Sequence, residues 1–200
     1  AQFDGTDDYL QMNESPDWAF GDGDFTVDFW AYSSSWVDDA FFWNNWESDQ
    51  TFGGMRIRTG GDVNLLVKSG GSAVINLDFT SISMPTDQWF HFACVRETAE
   101  GKFHIFIDGD LDQSITSTTT WPVINGDFRI NDERYNSGKE FTGYIDEFRV
   151  SKGIARWTAS FSVETSAYTT DSYTKLLLHC DGADSGTNFY DWINSLTTRE

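Results

Sequence analysis

Positive charge is scarce in this chain: 13 Lys and Arg stand against 32 Asp and Glu, a net charge of −19. Phosphate backbones and anionic membrane surfaces need clustered Lys and Arg, so neither nucleic acid nor membrane is an expected partner. Long apolar runs are missing as well. None approaches the roughly 20 residues of a membrane-spanning helix, and no signal-peptide pattern occurs. Only two cysteines are present, Cys94 and Cys180, with no CxxC or Cys/His spacing. A disulfide framework and a thiolate metal centre are thereby excluded, and two free thiols within apolar runs are expected. A sustained 3.6-residue period is also lacking. The one helical candidate is "SKGIARW" at 151–157, a turn or so at most.

What the chain has is period two. "FTVDFWAY" (25–32) places Phe25, Val27, Phe29 and Ala31 on one side and Thr26, Asp28, Trp30 and Tyr32 on the other. "GMRIRT" (54–59), "DVNLLVK" (62–68) and "SAVINLDF" (72–79) follow, divided by Gly-Gly pairs at 53–54, 60–61 and 70–71 that suit tight turns. "QWFHFACVRE" (88–97) is apolar on both faces and reads as a central, doubly covered strand. "KFHIFID" (102–108), "DFRI" (127–130) and "FTGYIDEFRV" (141–150) complete the series. Many short strands with Gly-rich turns predict an all-β, two-sheet antiparallel sandwich of jelly-roll type, one domain over 1–200. His91, His104 and His179 all fall in strands, where sheet or core positions are expected.

Aromatic residues are in excess: 17 Phe, 7 Tyr and 9 Trp. In "FFWNNWESDQTFGG" (41–54), Trp43 and Trp46 stand among Asn45, Asp49 and other amide and carboxylate groups. A ring face can stack on the C–H face of a sugar while Asn, Asp and Gln take its hydroxyls. These four residues are therefore candidate ligand contacts, the alternative being rings that cover the core beneath a loop. "NDERYNSGKEF" (131–141) offers a second set, Asn131, Asp132, Arg134 and Tyr135, on a loop between strands. In "YIDEFRV", Asp146 shares a predicted strand face with Tyr144, Phe148 and Val150, so either a cation or backbone N–H donors must satisfy it. "DGDLD" (108–112) imitates the start of an EF-hand loop, yet it lacks the Gly and Glu that such a loop needs further on, and reads as a hairpin turn.

"FDGTDDYL", "FTVDFW", "QWFHFACVR", "FHIFIDG" and "FTGYIDEFRVSKGIARW" occur in an order that resembles the laminin-G-like branch of the concanavalin A-like lectin/glucanase superfamily. The resemblance is nearest to repeated modules of bacteriophage structural proteins and marine bacterial surface proteins. It implies a carbohydrate-binding, lectin-like module, with a glycan or polysaccharide as partner and a virion or cell-surface location within a larger protein. Neighbouring copies and virion proteins are further implied partners, and a purely structural module without a glycan is the alternative. It also implies a structural calcium ion, with Asp146 as ligand and Asp4 and Gly5 as neighbours. The superfamily's hydrolases carry E-x-D-x-x-E on one strand and its lyases a positioned His and Tyr; neither pattern is present, so no catalysis is expected. In such modules an "LLLHFDG"-type strand comes first, whereas here "LLLHCDGADSGTNFYD" closes the chain. The segment 174–200 is thus expected to complete this same sandwich, or else to begin a following repeat or pair with a neighbouring copy.

Overall fold

The computed structural model describes residues 1–132 and 139–181, together with the backbone of 188–189 and 197–199. In chain order the strands are β1 (Gln2–Asp4), β2 (Leu10–Met12), β3 (Phe25–Tyr32), β4 (Phe41–Ser48), β5 (Thr51–Ile57), β6 (Val63–Ser69) and β7 (Ser72–Phe79). They continue as β8 (Phe90–Glu97), β9 (Lys102–Ile107), β10 (Asp110–Thr116), β11 (Asp127–Ile130), β12 (Thr142–Lys152), β13 (Thr174–Leu178), β14 (Asn188–Phe189) and β15 (Thr197–Arg199). One sheet has the order β1-β12-β3-β8-β9-β10, with β13 also pairing β12; the other runs β14-β15-β2-β11-β4-β5-β6-β7. Every pairing is antiparallel. The fold is the expected all-β sandwich. No α-helix occurs among the described residues. Two 3-10 turns lie at Pro16–Trp18 and Thr59–Gly61, and 151–157 is the end of β12 and an extended segment rather than a helical turn.

Alternation builds the core. Phe25, Val27, Phe29 and Ala31 of β3 are fully buried between the sheets. Phe29 stacks on Phe92 and Phe148 from its own sheet and meets Phe42 from the other, all with centroids between 5.1 and 5.3 Å apart. Burial of this many large rings is the main stabilising term of the fold. The Asp108-Gly109 turn joins β9 to β10 with both residues at positive φ (51° and 81°), as a two-residue hairpin demands.

Register shifts interrupt several pairings, and two of them alter predicted faces. In β4 the register against β5 slips between Phe41 and Trp43. Phe42 and Trp43 therefore both turn inward, while Phe41 and Trp46 lie on the outer face in a separate apolar group with Phe52 and Leu66. In β12 the register against β3 slips between Asp146 and Arg149, where Glu147 has φ 49°. Phe148 and Val150 consequently point into the core, and Asp146 stays outside with Tyr144. The expected shared face of Asp146, Phe148 and Val150 is not formed.

Strand β13 lies against β12 of the same chain, Leu178 opposite Phe148 and Leu176 opposite Val150. Between β12 and β13 the chain crosses the outer face of the first sheet as a strap, 154–171. It is held by Thr26 Oγ1, which donates to Ile154 O at 3.1 Å and accepts from Arg156 N at 3.1 Å, and by Phe161 N donating to Gly109 O at 2.8 Å. Trp157 and Phe161 stack at 3.8 Å over Ala93, Val95 and Phe106. This strap is what covers the second face of β8.

Candidate functional site

On the outer face of the first sheet, register lines side chains up in rows across β12, β3 and β8. Tyr144 is opposite Tyr32; next comes Asp146–Trp30–His91, then Arg149–Asp28–Ala93, then Ser151–Thr26–Val95. The strap covers the last rows and the His91 end of the second. It leaves the first row open.

Beneath the strap the charged groups are paired, while His91 Nδ1 has no hydrogen-bond partner among the described residues. Asp28, wholly buried, accepts two hydrogen bonds from Arg149, Nε to Oδ1 at 3.0 Å and Nη2 to Oδ2 at 2.8 Å, and His91 Nε2 lies 3.5 Å away. Burial alone would raise the Asp28 pKa, but His91 and Arg149 together hold it below the ordinary value. The Arg149 guanidinium is capped by the Tyr168 ring at 4.3 Å and the Trp157 ring at 5.8 Å. The bulged Glu147 then ties two segments together: it accepts from Tyr168 N at 2.8 Å and contacts His179 Nδ1 at 2.7 Å.

Where the strap leaves the sheet, a cleft of about 410 Å³ opens, lined by Trp30, Trp89, Asp146, Glu147, Thr165, Ser166, Ala167 and Asp181. Trp89 precedes β8 and extends the open row beside Tyr32. The three rings Tyr144, Tyr32 and Trp89 touch mutually with centroids 5.9–6.2 Å apart. Trp89 is 46% exposed and Tyr144 42%, so this is an exposed aromatic shelf beside a polar cleft. Among the described residues no Lys or Arg lines the cleft. Asp146 accepts the Glu147 N–H at 3.0 Å, and burial raises its pKa. A second cleft of about 300 Å³, near Arg58, Asp62 and Asp78, has only the fully buried Phe79 as a ring in its lining.

The described residues among those expected to form the site are placed elsewhere. Trp43 is fully buried in the core against Phe128 and cannot offer a ring face to a ligand. Asn45 is buried too, donating to Gly126 O at 3.1 Å. Trp46 lies on the outer face of the other sheet but is 5% exposed, stacked on Phe52 at 4.9 Å. Asp49 is exposed at the β4–β5 turn. Asn131 is a buried structural bridge, donating to Asp8 O and Phe141 O and accepting from Phe141 N. Asp132 accepts from Arg129 at 2.6 Å and is 6% exposed. Arg134 and Tyr135 lie outside the described residues.

The expected calcium ligands are not brought together. Asp4 is opposite Thr142, four residues along β12 from Asp146, a separation of about 13 Å at the usual strand rise. Asp4 instead accepts the Thr6 N–H at 2.8 Å in the turn that contains Gly5. Among the described residues no group of three or more His, Cys, Asp or Glu side chains is placed to hold a metal ion. These positions do not fit the expected ion.

The sequence matches the family model described as the concanavalin A-like lectin/glucanases superfamily over residues 4–156. No curated protein sequence matches it closely enough to indicate a relative. Solved structures do. A Bacteroides ovatus protein whose name suggests carbohydrate binding superposes over 98% of this chain at TM-score 0.65 with 16% identity; the chain spans 56% of that protein. Domain 4 of AbnA, a GH43 extracellular arabinanase from Geobacillus stearothermophilus solved with arabinotriose, superposes over 76% of this chain and 69% of its own (TM-score 0.60, 18% identity). The heptameric SAP-like pentraxin of Limulus polyphemus covers 100% of this chain and 90% of its own (TM-score 0.58, 15% identity). At such identities the likeness is one of fold.

Proposed function

This chain belongs to the concanavalin A-like lectin/glucanases superfamily, and we propose that within it the chain is a non-catalytic glycan-binding module. The observation that carries the proposal is the exposed row Tyr144–Tyr32–Trp89 at the mouth of the cleft. Flat rings exposed beside Trp30, Asp146, Thr165 and Ser166 offer a stacking surface and hydroxyl partners on one side of a sugar. The fold supports the reading, since the arabinanase domain it resembles was solved with an oligosaccharide bound.

The carboxylates argue for binding rather than hydrolysis. Glycoside hydrolysis needs two free carboxyl groups flanking the scissile bond. Glu147 is taken up by Tyr168 N and His179, which leaves Asp146 and the exposed Asp181 as the other described carboxylates of the cleft. As a module of a larger protein, displayed on a virion or a cell surface, the chain would attach its parent to a polysaccharide.

The test is a glycan array of the purified chain in calcium and in EDTA, beside Trp89→Ala. Trp89 is half exposed, so its loss should cost little stability, while removal of a central aromatic contact costs about 2 kcal/mol of binding, roughly 30-fold. Binding by the native chain that Trp89→Ala leaves intact would place the sugar elsewhere. No binding in either condition, or release of reducing sugar, would overturn the proposal.

A further inference from the structure

The cleft has a chemical bias as well as a shape. Its acidic groups among the described residues are Asp146, Glu147 and Asp181; no described Lys or Arg lines it, and the amino terminus, which donates to Ile145 O at 2.6 Å, is the positive group that acts on Asp146. Glu147 is engaged by His179 and the Tyr168 N–H. For Asp146 one oxygen accepts the Glu147 N–H; no hydrogen bond to the other engages a described residue. Asp146 shares its row with Trp30, and the Tyr144–Tyr32 row adjoins it on the same face. A carboxylate flanked by electron-rich ring faces is a chemical match for an organic ammonium group, which gains from the charge and from the rings together. The same surroundings disfavour a uronic or sialic acid, whose carboxylate would face two or three like charges.

Resting on the glycan-binding reading above, we propose that this cleft takes amino sugars whose amine is free and charged, with Asp146 and the Trp30–Tyr32–Tyr144–Trp89 rings receiving the ammonium group. The contrast that isolates this is an oligosaccharide with and without its charge. The trimer of β-1,4-linked glucosamine and its N-acetylated counterpart share a backbone and differ in the ammonium group and the acetyl that replaces it. One exposed ion pair with ring contacts is worth about tenfold in affinity, or roughly 1.4 kcal/mol.

The experiment is isothermal titration of the full chain in EDTA with both trimers and with a uronic acid trimer. Three proteins are compared: native, Asp146→Asn, and Asp110→Asn, an exposed carboxylate on β10. The expected result is tenfold tighter binding of the glucosamine trimer than of the acetylated one, and no uronate binding. That preference should vanish in Asp146→Asn and persist in Asp110→Asn. Equal loss of preference in both variants would mean that the overall negative charge attracts the amine, and the inference falls. Equal binding of the glucosamine trimer and its N-acetylated counterpart by the native chain also overturns it, while leaving the glycan-binding proposal standing. If the glycan array reads positive yet neither trimer binds, the amino-sugar inference alone is refuted; silence on the array as well removes both.

Discussion

Replacing Arg149 by Met removes the principal partner of a carboxylate that has no access to water. Asp28 is 0% exposed, holds two hydrogen bonds from Arg149, and keeps only the 3.5 Å contact with His91 when they are gone. Stranding one member of a buried pair costs about 3–5 kcal/mol. For a chain of this size each kcal/mol shifts Tm by about 2–4 °C, so a fall of roughly 6–20 °C is expected by circular dichroism. The pH dependence is the sharper check. In the native protein Asp28 lies below its ordinary pKa, so its contribution is present above about pH 4 and is lost as pH falls further. In Arg149→Met only His91 still opposes the effect of burial, so the Asp28 pKa moves up from its native position and the ionised form loses part of its advantage at neutral pH. The deficit relative to the native chain should therefore be larger at pH 7.5 than at pH 5, measured by urea unfolding at both. Adding Asp28→Leu removes the stranded charge and should recover most of the loss, because an apolar replacement of a whole buried pair is often neutral or better. A single-variant deficit under about 1 kcal/mol, or a double variant no better than the single, would refute the reasoning.

Asp171 anchors the other end of the strap: it receives both Arg156 terminal nitrogens at 3.0 Å and the N–H groups of Tyr173 and Thr174. The Arg156 hydrogen bonds, first among several contacts, hold its pKa well below the usual carboxylate range. Its contribution is thus present above about pH 4 and lost only in stronger acid, and Asp171→Asn should flatten the acid limb of the stability profile; an unchanged limb would assign acid sensitivity to other carboxylates. The β12–β13 pairing within one chain predicts a 22.7 kDa species whose sedimentation does not change with concentration. A dimer that forms at high concentration and dissociates slowly would instead indicate that β13 exchanges between copies.

Much of the fold was legible because period two is a strong signal in long strands. β3 shows why: four alternate apolar residues in eight can bury only one face of a sheet, and all four are buried. The bulges were not legible. One additional residue in β4 reverses every side chain that follows, and nothing in "FFWNN" marks where it falls. Trp43 thereby moved from candidate binding ring to core, and the same effect at Glu147 parted Asp146 from Phe148. The strap escaped notice for another reason. Trp157 and Phe161 sit in a segment without periodicity, and their partner, the outer face of β8, is about 60 residues earlier in sequence.

The open row of the candidate site follows from where that strap ends. Trp30 and Tyr32 stand on the outward side of "FTVDFWAY", so the sequence already showed two aromatic rings on a face otherwise carrying Thr26 and Asp28. A face of that composition is either covered or used. The strap covers Thr26 and Asp28 by bonding to the first and burying the second with Arg149. Its aromatic side chains, Trp157, Phe161 and Tyr168, surround His91, and Tyr168 also meets Trp30. The strap's side chains at 164–167 are small or polar and exposed, and cannot seal a ring. Tyr32, Trp89 and Tyr144 are therefore left to pack on each other at the rim, with Asp146 on the boundary between covered and open sheet. Residues 165–167, between Phe161 and Tyr168, are the part of the strap that faces the cleft. Placing Leu at Ser166 should close the cleft over Trp30 and abolish ligand binding without loss of stability; retained binding would detach the site from this boundary.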